Sequence, residues 1–348
     1  MLFDEKCVVL QQEIRMMANH TPFFSIVLFL LLSPVHTNAQ KVYKVNRFVD
    51  SLLTKRYWRA NIDTNYIIRP KTKWTLMGQL NVSGTTINTR GKYDEGINGE
   101  IEFRADKKTT FSLNISYVGV SLSLSINPAR MSGKYKDTEL GFRSYGKRFG
   151  FDLTYHDSYN FVGEYKIGDN TYDFTTSGDQ LRLQTTNINA YYVFSPRRFS
   201  YPAAFSHSYI QRRSAGSFML AGSLQSQNGE MNYNGEKSEF KINNYALGGG
   251  YGYNYVPGHG WLIHISTLPT LIVGTKTTFI DFDGTQSSLT HKFPEMIVTS
   301  RLAIVKQIGS NKFAGLSTVF TFTHVGDEEN IAFRNYKWNS RLYFGFRL

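Results

Sequence analysis

From residue 73 to residue 348 apolar side chains recur at every second position, in segments of about ten residues or more, the period of a strand with one apolar and one polar face. Trp74, Leu76, Gly78, Leu80 and Val82 alternate with Thr75, Met77, Gln79, Asn81 and Ser83. Further on, Phe111, Leu113, Ile115 and Tyr117 alternate with Ser112, Asn114 and Ser116. The pattern repeats to the last residues, where Trp338, Leu342, Phe344, Phe346 and Leu348 share a face opposite Asn339, Arg341, Tyr343, Gly345 and Arg347. A long aromatic edge strand left open would template aggregation, and closing the sheet on itself removes that edge.

The N-terminal region tells which side of a membrane such a sheet occupies. Residues 23–32 form an apolar run of ten, half of what a spanning helix needs. Ser33-Pro34 and Thr37-Asn38-Ala39 follow, with the small and polar residues of a leader cleavage site. We read residues 1–39 as a signal peptide, with Gln40 the first mature residue and Met16 or Met17 a candidate true start. Cleavage removes Cys7, the single cysteine, so a disulfide-stapled domain and a thiol nucleophile are excluded. It also removes two bases and three acids, taking the formal charge from +12 to about +13. Those charges are scattered and form no stripe, so nucleic acid is not an expected partner. Beyond residue 32 no run is long enough for a membrane helix, and Tyr (22) and Phe (26) far outnumber Trp (4). Export, half-apolar strands and abundant aromatics together predict an all-β, antiparallel, up-and-down barrel in the bacterial outer membrane over residues 73–348.

An even strand number, short inner turns and longer outer loops constrain the count. Outer loops are expected near 326–332, 281–289, 229–237, 164–179, 128–136 and 87–97. Inner connections are expected near Gly309-Ser310-Asn311, Pro257-Gly258-His259, 195–213, Gly146-Lys147 and Lys107-Lys108. That gives twelve strands, provided that the phase slip at Gly119 is a bulge inside one strand and not a tight hairpin. Pro269 interrupts the run 261–275 and predicts a bulge, a bend or a shorter strand. In the preceding segment, 40–72, Val42, Val45, Phe48, Val49, Leu52 and Leu53 fall on one helical stripe. A periplasmic helix over 42–56 is therefore expected, packed inside or under the barrel as a plug, lying on the inner leaflet or standing free in the periplasm; packing against the barrel's periplasmic mouth is the preferred placement.

If the apolar face meets lipid, the opposite face predicts a lumen network of Glu100, Glu102, Arg104, Glu139, Arg143, Asp152, His156, Arg182, Gln184, Glu295, Arg301 and Arg341. Its charges nearly balance, which favours a core held by salt bridges over an open pore, since unpaired charge in a narrow lumen is costly. Gly248, Gly250 and Gly252 are expected to face inward, leaving room for a bulky neighbour or a close backbone.

The inner connection is long for its class. It runs Arg197-Arg198-Phe199-Ser200-Tyr201-Pro202-Ala203-Ala204-Phe205 and then Gln211-Arg212-Arg213-Ser214-Ala215-Gly216-Ser217. Together with Asp63-Thr64-Asn65-Tyr66-Ile67 and the strand layout, this stretch resembles the Bacteroidota outer-membrane barrel family catalogued as domain of unknown function 4421, over about residues 60 to 348. The resemblance implies an outer-membrane barrel behind a signal peptide, and it transfers no functional residue. By their chemistry Arg197, Arg198, Gln211, Arg212 and Arg213 form an inner-rim basic patch that either holds phosphate headgroups or locks the connection onto the barrel, the lock being preferred.

Two functions from different classes follow. One is a narrow or plugged channel or envelope scaffold without catalysis. Its expected partners are outer-membrane lipids, small polar solutes and the barrel-insertion machinery, which would read the C-terminal strand. The other is a lipid-modifying barrel enzyme acting on phospholipid or lipopolysaccharide, with His156 or His207 as base. His156-Asp157-Ser158 cannot assemble a triad in a strand, because Asp157 points to the opposite face. No catalytic residue, metal site or cofactor is assigned.

Overall fold

The computed structural model describes residues 51–348, except 52, 53, 56, 94–96, 106, 119, 127, 129–137, 160, 168–169, 177–179, 234, 289–293 and 327–330. The chain divides into two units, residues 1–59 and 60–348. In the first, residues 51, 54, 55, 57 and 58 are helical, and the rest of the stripe over 42–56, with its placement, lies outside the described residues.

Among its described residues the second unit is all-β apart from a short helix at Pro202–Phe205 and a helical residue at 128. Its strands are β1 (Ile67–Ile68), β2 (Trp74–Tyr93), β3 (Ile97–Ala105), β4 (Lys108–Tyr117), β5 (Val120–Ile126), β6 (Thr138–Tyr145), β7 (Phe149–Ser158), β8 (Phe161–Ile167) and β9 (Asn170–Thr176). There follow β10 (Leu181–Val193), a helical turn Pro202–Phe205, β11 (Ile210–Gln211), β12 (Ala215–Tyr233), β13 (Glu236–Gly258), β14 (Trp261–Ile280), β15 (Gln286–Ser287), β16 (Met296–Ile308), β17 (Lys312–Gly326) and β18 (Ile331–Arg347). Twelve of them close a ring in the order β18, β17, β16, β14, β13, β12, β10, β7, β6, β5, β4, β2, with β2 returning to β18. The seam is fully paired, from Trp74 and Leu348 at the inner end to Gly91 opposite Ile331 at the outer end. Closure therefore leaves the aromatic C-terminal strand no free edge.

The count of twelve stands, but two of the connections behind it are corrected. Lys107-Lys108 is not a turn: β3 and β4 both pair β2, Thr86 lying opposite Arg104 and Ser83 opposite Lys108. They are one descending wall with a one-residue shift between them. The phase slip near Gly119 is the hairpin and not the bulge, since Tyr117 lies opposite Val120 and β4 pairs β5 antiparallel; Gly119 itself lies outside the described residues. A bulge and a turn exchange places and the total is unchanged. Three outer loops are also tighter than expected. β2 extends to Tyr93, β12 and β13 meet at Tyr233 and Glu236, and most of 164–179 is the hairpin β8–β9. Pro269 does not shorten β14: it pairs Val298 on β16, while no pairing joins it to β13 between Gly248–Thr270 and Tyr251–Thr267. The register shifts of that ladder fall elsewhere, between Tyr245 and Ala246 and between Tyr255 and Gly258.

Strands of 19 to 23 residues (β2, β12, β13, β14) are about twice what a tilted strand needs to cross a bilayer, and the side-chain pattern shows where the surplus goes. In the inner half the barrel is inside-out. On β4, Phe111, Leu113 and Ile115 are exposed while Thr110, Ser112, Asn114 and Ser116 are buried. Leu220, Leu247, Ile265, Val273, Leu342 and Phe344 continue the exposed apolar band. In the outer half the pattern inverts: Ile87, Phe161, Leu181 and Leu183 are buried together, with Phe103, Met231, Phe240 and Phe333 against them. A lipid-facing band below a polar-faced, apolar-filled extension places the chain in the bacterial outer membrane, with its outer half standing clear of the hydrocarbon.

Candidate functional site

The interior is built in three layers. The innermost is a plug made by the connection between β10 and β12. Phe199 and Tyr201 are fully buried, and with Tyr145, Tyr191, Val193, Met219, Ala221 and Leu268 they form one cluster, Phe205 packing against it. Tyr201 lies 4.5 Å from the Tyr191 ring and 4.8 Å from Phe205. A Cβ on Gly252 would stand 3.0 Å from Phe199 Cζ, so the absent side chain is what admits the plug. Gly248 and Gly250 serve the backbone instead, their missing Cβ atoms facing the Pro269 and Thr267 oxygens.

Polar groups fasten the plug. The Gln211 side chain donates to the Arg198 and Arg213 oxygens at 2.6 and 2.9 Å and accepts from the Ser200 N–H at 2.9 Å. Asn254, on β13, donates to both Ser200 O and Gln211 Oε1 and contacts His264 Nδ1 at 2.7 Å. At the far end Arg347 donates from Nε to His207 O at 2.8 Å, and the His207 ring stacks 4.0 Å from Phe313. His207 adopts a φ of +55°. Burial, with Arg347 nearby, holds its imidazole well below the usual range, so it stays neutral. Below the plug, β1 pairs β11 and the Asp63 N–H donates to Arg197 O.

The middle layer is polar. Asp152 accepts from the Tyr145 hydroxyl and, at 2.6 Å, from Arg301 Nη2, with Arg143 Nε 3.8 Å away. The Arg301 guanidinium also lies over the Tyr201 and Phe205 rings at 5.9 and 5.8 Å, which joins this layer to the plug. A cavity of about 60 Å³ opens beside it. Above lies the apolar cluster around Ile87 and Phe161.

The structure divides the expected lumen network. Asp152, His156 and Arg301 are buried, and with Arg143 and Arg341 they line the cavity. Glu139 stands opposite His156 by register, its side chain outside the described residues. Glu295 is buried near the outer rim, where it accepts from the Gly326 N–H at 2.8 Å. Five residues are corrected: Glu100, Glu102, Arg104, Arg182 and Gln184 lie on the outward face. Glu102 and Arg104 alternate with Phe103, which packs into the interior cluster; Arg104 pairs with Glu102 and reaches Glu164 at 3.9 Å. Glu100 accepts from Asn88 at 2.6 Å. Arg182 and Gln184 alternate with buried Leu181, Leu183 and Thr185, and both donate to Asp157. The rule that the apolar face meets lipid fails there because those segments stand above the bilayer. Asp157 is thus directed away from His156, and Ser158 instead accepts from Lys108 Nζ at 2.6 Å.

At the inner rim the patch divides too. Gln211 is buried in the plug, while Arg197, Arg198, Arg212 and Arg213 are exposed. Arg198 lies 3.6 Å from Asp63 and over the Tyr66 ring. Lys147, on the β6–β7 turn, is lowered to about 8 by its partial burial and by the charges of Arg69, Arg148 and Arg197. Tyr145, Asn254, His264 and Arg347 were not foreseen as site residues, and Phe199 and Tyr201 were expected only as aromatic neighbours of the basic patch. The only sequence signal for them was the length and aromatic content of the inner connection.

Several solved outer-membrane barrels resemble this one in architecture. The outer-membrane protease OmpT of Escherichia coli is 8% identical with a TM-score of 0.41, over 80% of this chain and 97% of that one. The translocator domain of the autotransporter NalP of Neisseria meningitidis is 10% identical with a TM-score of 0.27, over 89% and 100%. The toluene transporter TodX of P. putida is 7% identical with a TM-score of 0.26, over 80% and 91%. No curated protein matches the chain. The profile of one family covers residues 61–348, barrel, plug and rim together, and the chain belongs to that family, the domain of unknown function DUF4421.

Proposed function

We propose that the protein is a non-catalytic outer-membrane barrel whose lumen is held shut from the periplasmic side by its own inner connection, a plugged conduit of the envelope. The observation that carries this reading is the seating of Phe199, Tyr201 and Phe205 in the mouth, fastened by Gln211, Asn254 and Arg347. A connection serving only to join two strands needs two or three residues, as at 259–260 and 309–311. Here about twenty are spent on a buried aromatic core. The reading extends to export behind the 1–39 leader, insertion through the C-terminal strand, residence among outer-membrane lipids and small polar solutes as cargo when the plug moves.

A lipid-modifying enzyme is the weaker reading. His207 is sealed behind Arg347 and Phe313, and Asp157, the neighbour of His156, accepts from Arg182 and Gln184 on the opposite face. Planar-bilayer recording of the refolded barrel tests the proposal. Wild-type protein is expected to be silent, and a variant with 199–208 replaced by a glycine–serine linker to show discrete steps. Stable steps from wild type, or silence from a correctly folded linker variant, contradict it.

A further inference from the structure

We infer that the inner rim at the β6–β7 turn holds one inner-leaflet phospholipid with a net negative headgroup. Its phosphate lies among Lys147, Arg148 and Arg197, and its acyl chains run along Phe149, Phe194 and Phe218. The turn that presents the first two cations is fixed by its backbone. Gly146 N–H donates to Phe149 O at 3.0 Å, and Val193 N–H donates to Arg148 O at 2.7 Å. From it the Arg148 side chain reaches along the outer wall. Its Nη1 donates to the Tyr192 hydroxyl at 2.9 Å, and the guanidinium lies 6.0 Å from that ring's centre. Tyr192 is on the lipid-facing side of β10, since its neighbours Tyr191 and Val193 are buried in the plug cluster. Arg197 arrives from the inner connection, where its carbonyl accepts from the Asp63 N–H at 2.9 Å. Arg148 and Arg197 are exposed and Lys147 is half-buried. Partial burial, with the charges of Arg69, Arg148 and Arg197, lowers Lys147 to about 8, which reflects how closely the turn and the connection bring their cations together.

Beside this cluster the wall is aromatic and uncovered. Phe149 and Phe194 are each 59% exposed and Phe218 is 71% exposed. The Phe149 and Phe194 rings lie 4.9 and 5.1 Å from that of Tyr192. Phe194 N–H donates to Phe218 O, which carries the patch onto β12, and the Phe218 ring meets Tyr251 on β13 at 5.2 Å. Rings at that level mark the boundary between hydrocarbon and headgroups. Cations just beyond the boundary stand at the height of the phosphates, and a guanidinium pairs with two phosphate oxygens at once. Charge alone would suit a soluble anion as well. The apolar patch continuous with the cluster selects a ligand that carries acyl chains, and several cations together favour a net negative headgroup over a zwitterionic one.

The site does not require the plug to be seated, so conductance from the wild-type barrel would end the plugged-conduit reading and leave this one standing. The probes are dioleoyl phosphatidylglycerol and dioleoyl phosphatidylcholine, titrated against the refolded protein in a neutral detergent and counted by native mass spectrometry. One phosphatidylglycerol is expected to be retained in preference to phosphatidylcholine. Its affinity should fall about fivefold in Arg148→Gln and in Arg197→Gln, the worth of one basic residue at an anionic surface. It should fall in Phe194→Ser and persist in Lys306→Gln, a rim lysine set over Trp261 on β14. Glycerol phosphate, which has the charge without the chains, should not displace the lipid. Equal retention of the two lipids, an equal loss in Lys306→Gln, or displacement by glycerol phosphate overturns the inference, the last by making the site one for a soluble anion. If the rim variants do not refold, a photoactivatable phosphatidylglycerol on the wild-type protein decides: cross-links must map to 146–149 and 192–197, and cross-links mapping elsewhere overturn it.

Discussion

Asp152 shows how much one interior side chain carries. It neutralises Arg301, receives the Tyr145 hydroxyl and stands beside Arg143, all within the barrel. Truncating one partner of a buried pair leaves the other charge uncompensated, at a cost of about 3–5 kcal/mol. Asp152→Ala is expected to lose about that much in urea unfolding of the refolded barrel, and Asp152→Ala/Arg301→Leu to recover most of it. A single-variant loss below about 1 kcal/mol contradicts the assignment. Asp152 and Arg301 were legible in sequence because their strands obey simple alternation in the membrane-spanning half. Glu102 and Arg182 were not. Their neighbours Phe103 and Leu183 are just as apolar as any lipid-facing residue, and one strand's period cannot say which side of the wall is wet.

Among the elements, the inner connection is the one that behaves unlike its class. Its sequence stood out for length, arginines and aromatics, and a lock was the preferred reading. The arginines drew the eye, but the fastening comes from Gln211, Asn254 and Arg347, and the bulk comes from aromatic rings. The shape of the seat was half legible: Gly252 was expected inward, whereas the identity of its filler, Phe199, lies over fifty residues away in sequence and has no local signature. Gly252→Leu is therefore expected to push Phe199 off its seat and cost about 1–3 kcal/mol by overpacking. Conducting steps should appear in planar bilayers without any change to the plug sequence. If Gly252→Leu folds, keeps its stability and stays silent, the seat has been misplaced. The β3–β4 wall and the β4–β5 hairpin teach a related lesson. Parity permits a bulge and a turn to exchange places, so a correct strand count does not guarantee correct connections.

Across the whole molecule, the inversion of polarity along the barrel axis is the organising feature. Half-apolar strands and the aromatic C-terminal strand made the membrane barrel legible. The inversion was not, because it depends on where the bilayer ends, a property of the assembled wall and of no single segment. It makes the effect of an outward charge depend on height. Leu247→Arg, in the exposed apolar band, is expected to cost about 2–4 kcal/mol in folding into vesicles. Glu102→Lys, on the outward face of the extension, is expected to fall within about 0.5 kcal/mol of wild type. Equal costs at the two heights contradict the inversion.

The closed mouth is the central claim, and cysteine accessibility tests it most directly, since the predicted mature chain has no cysteine of its own. Tyr201→Cys, Arg198→Cys and Arg212→Cys are each refolded into vesicles and exposed to a membrane-impermeant maleimide on the turn side. A seated plug predicts prompt labelling at 198 and 212, with labelling at 201 only after denaturation. Labelling at 201 as fast as at the rim would mean that the connection hangs free and that the barrel is open.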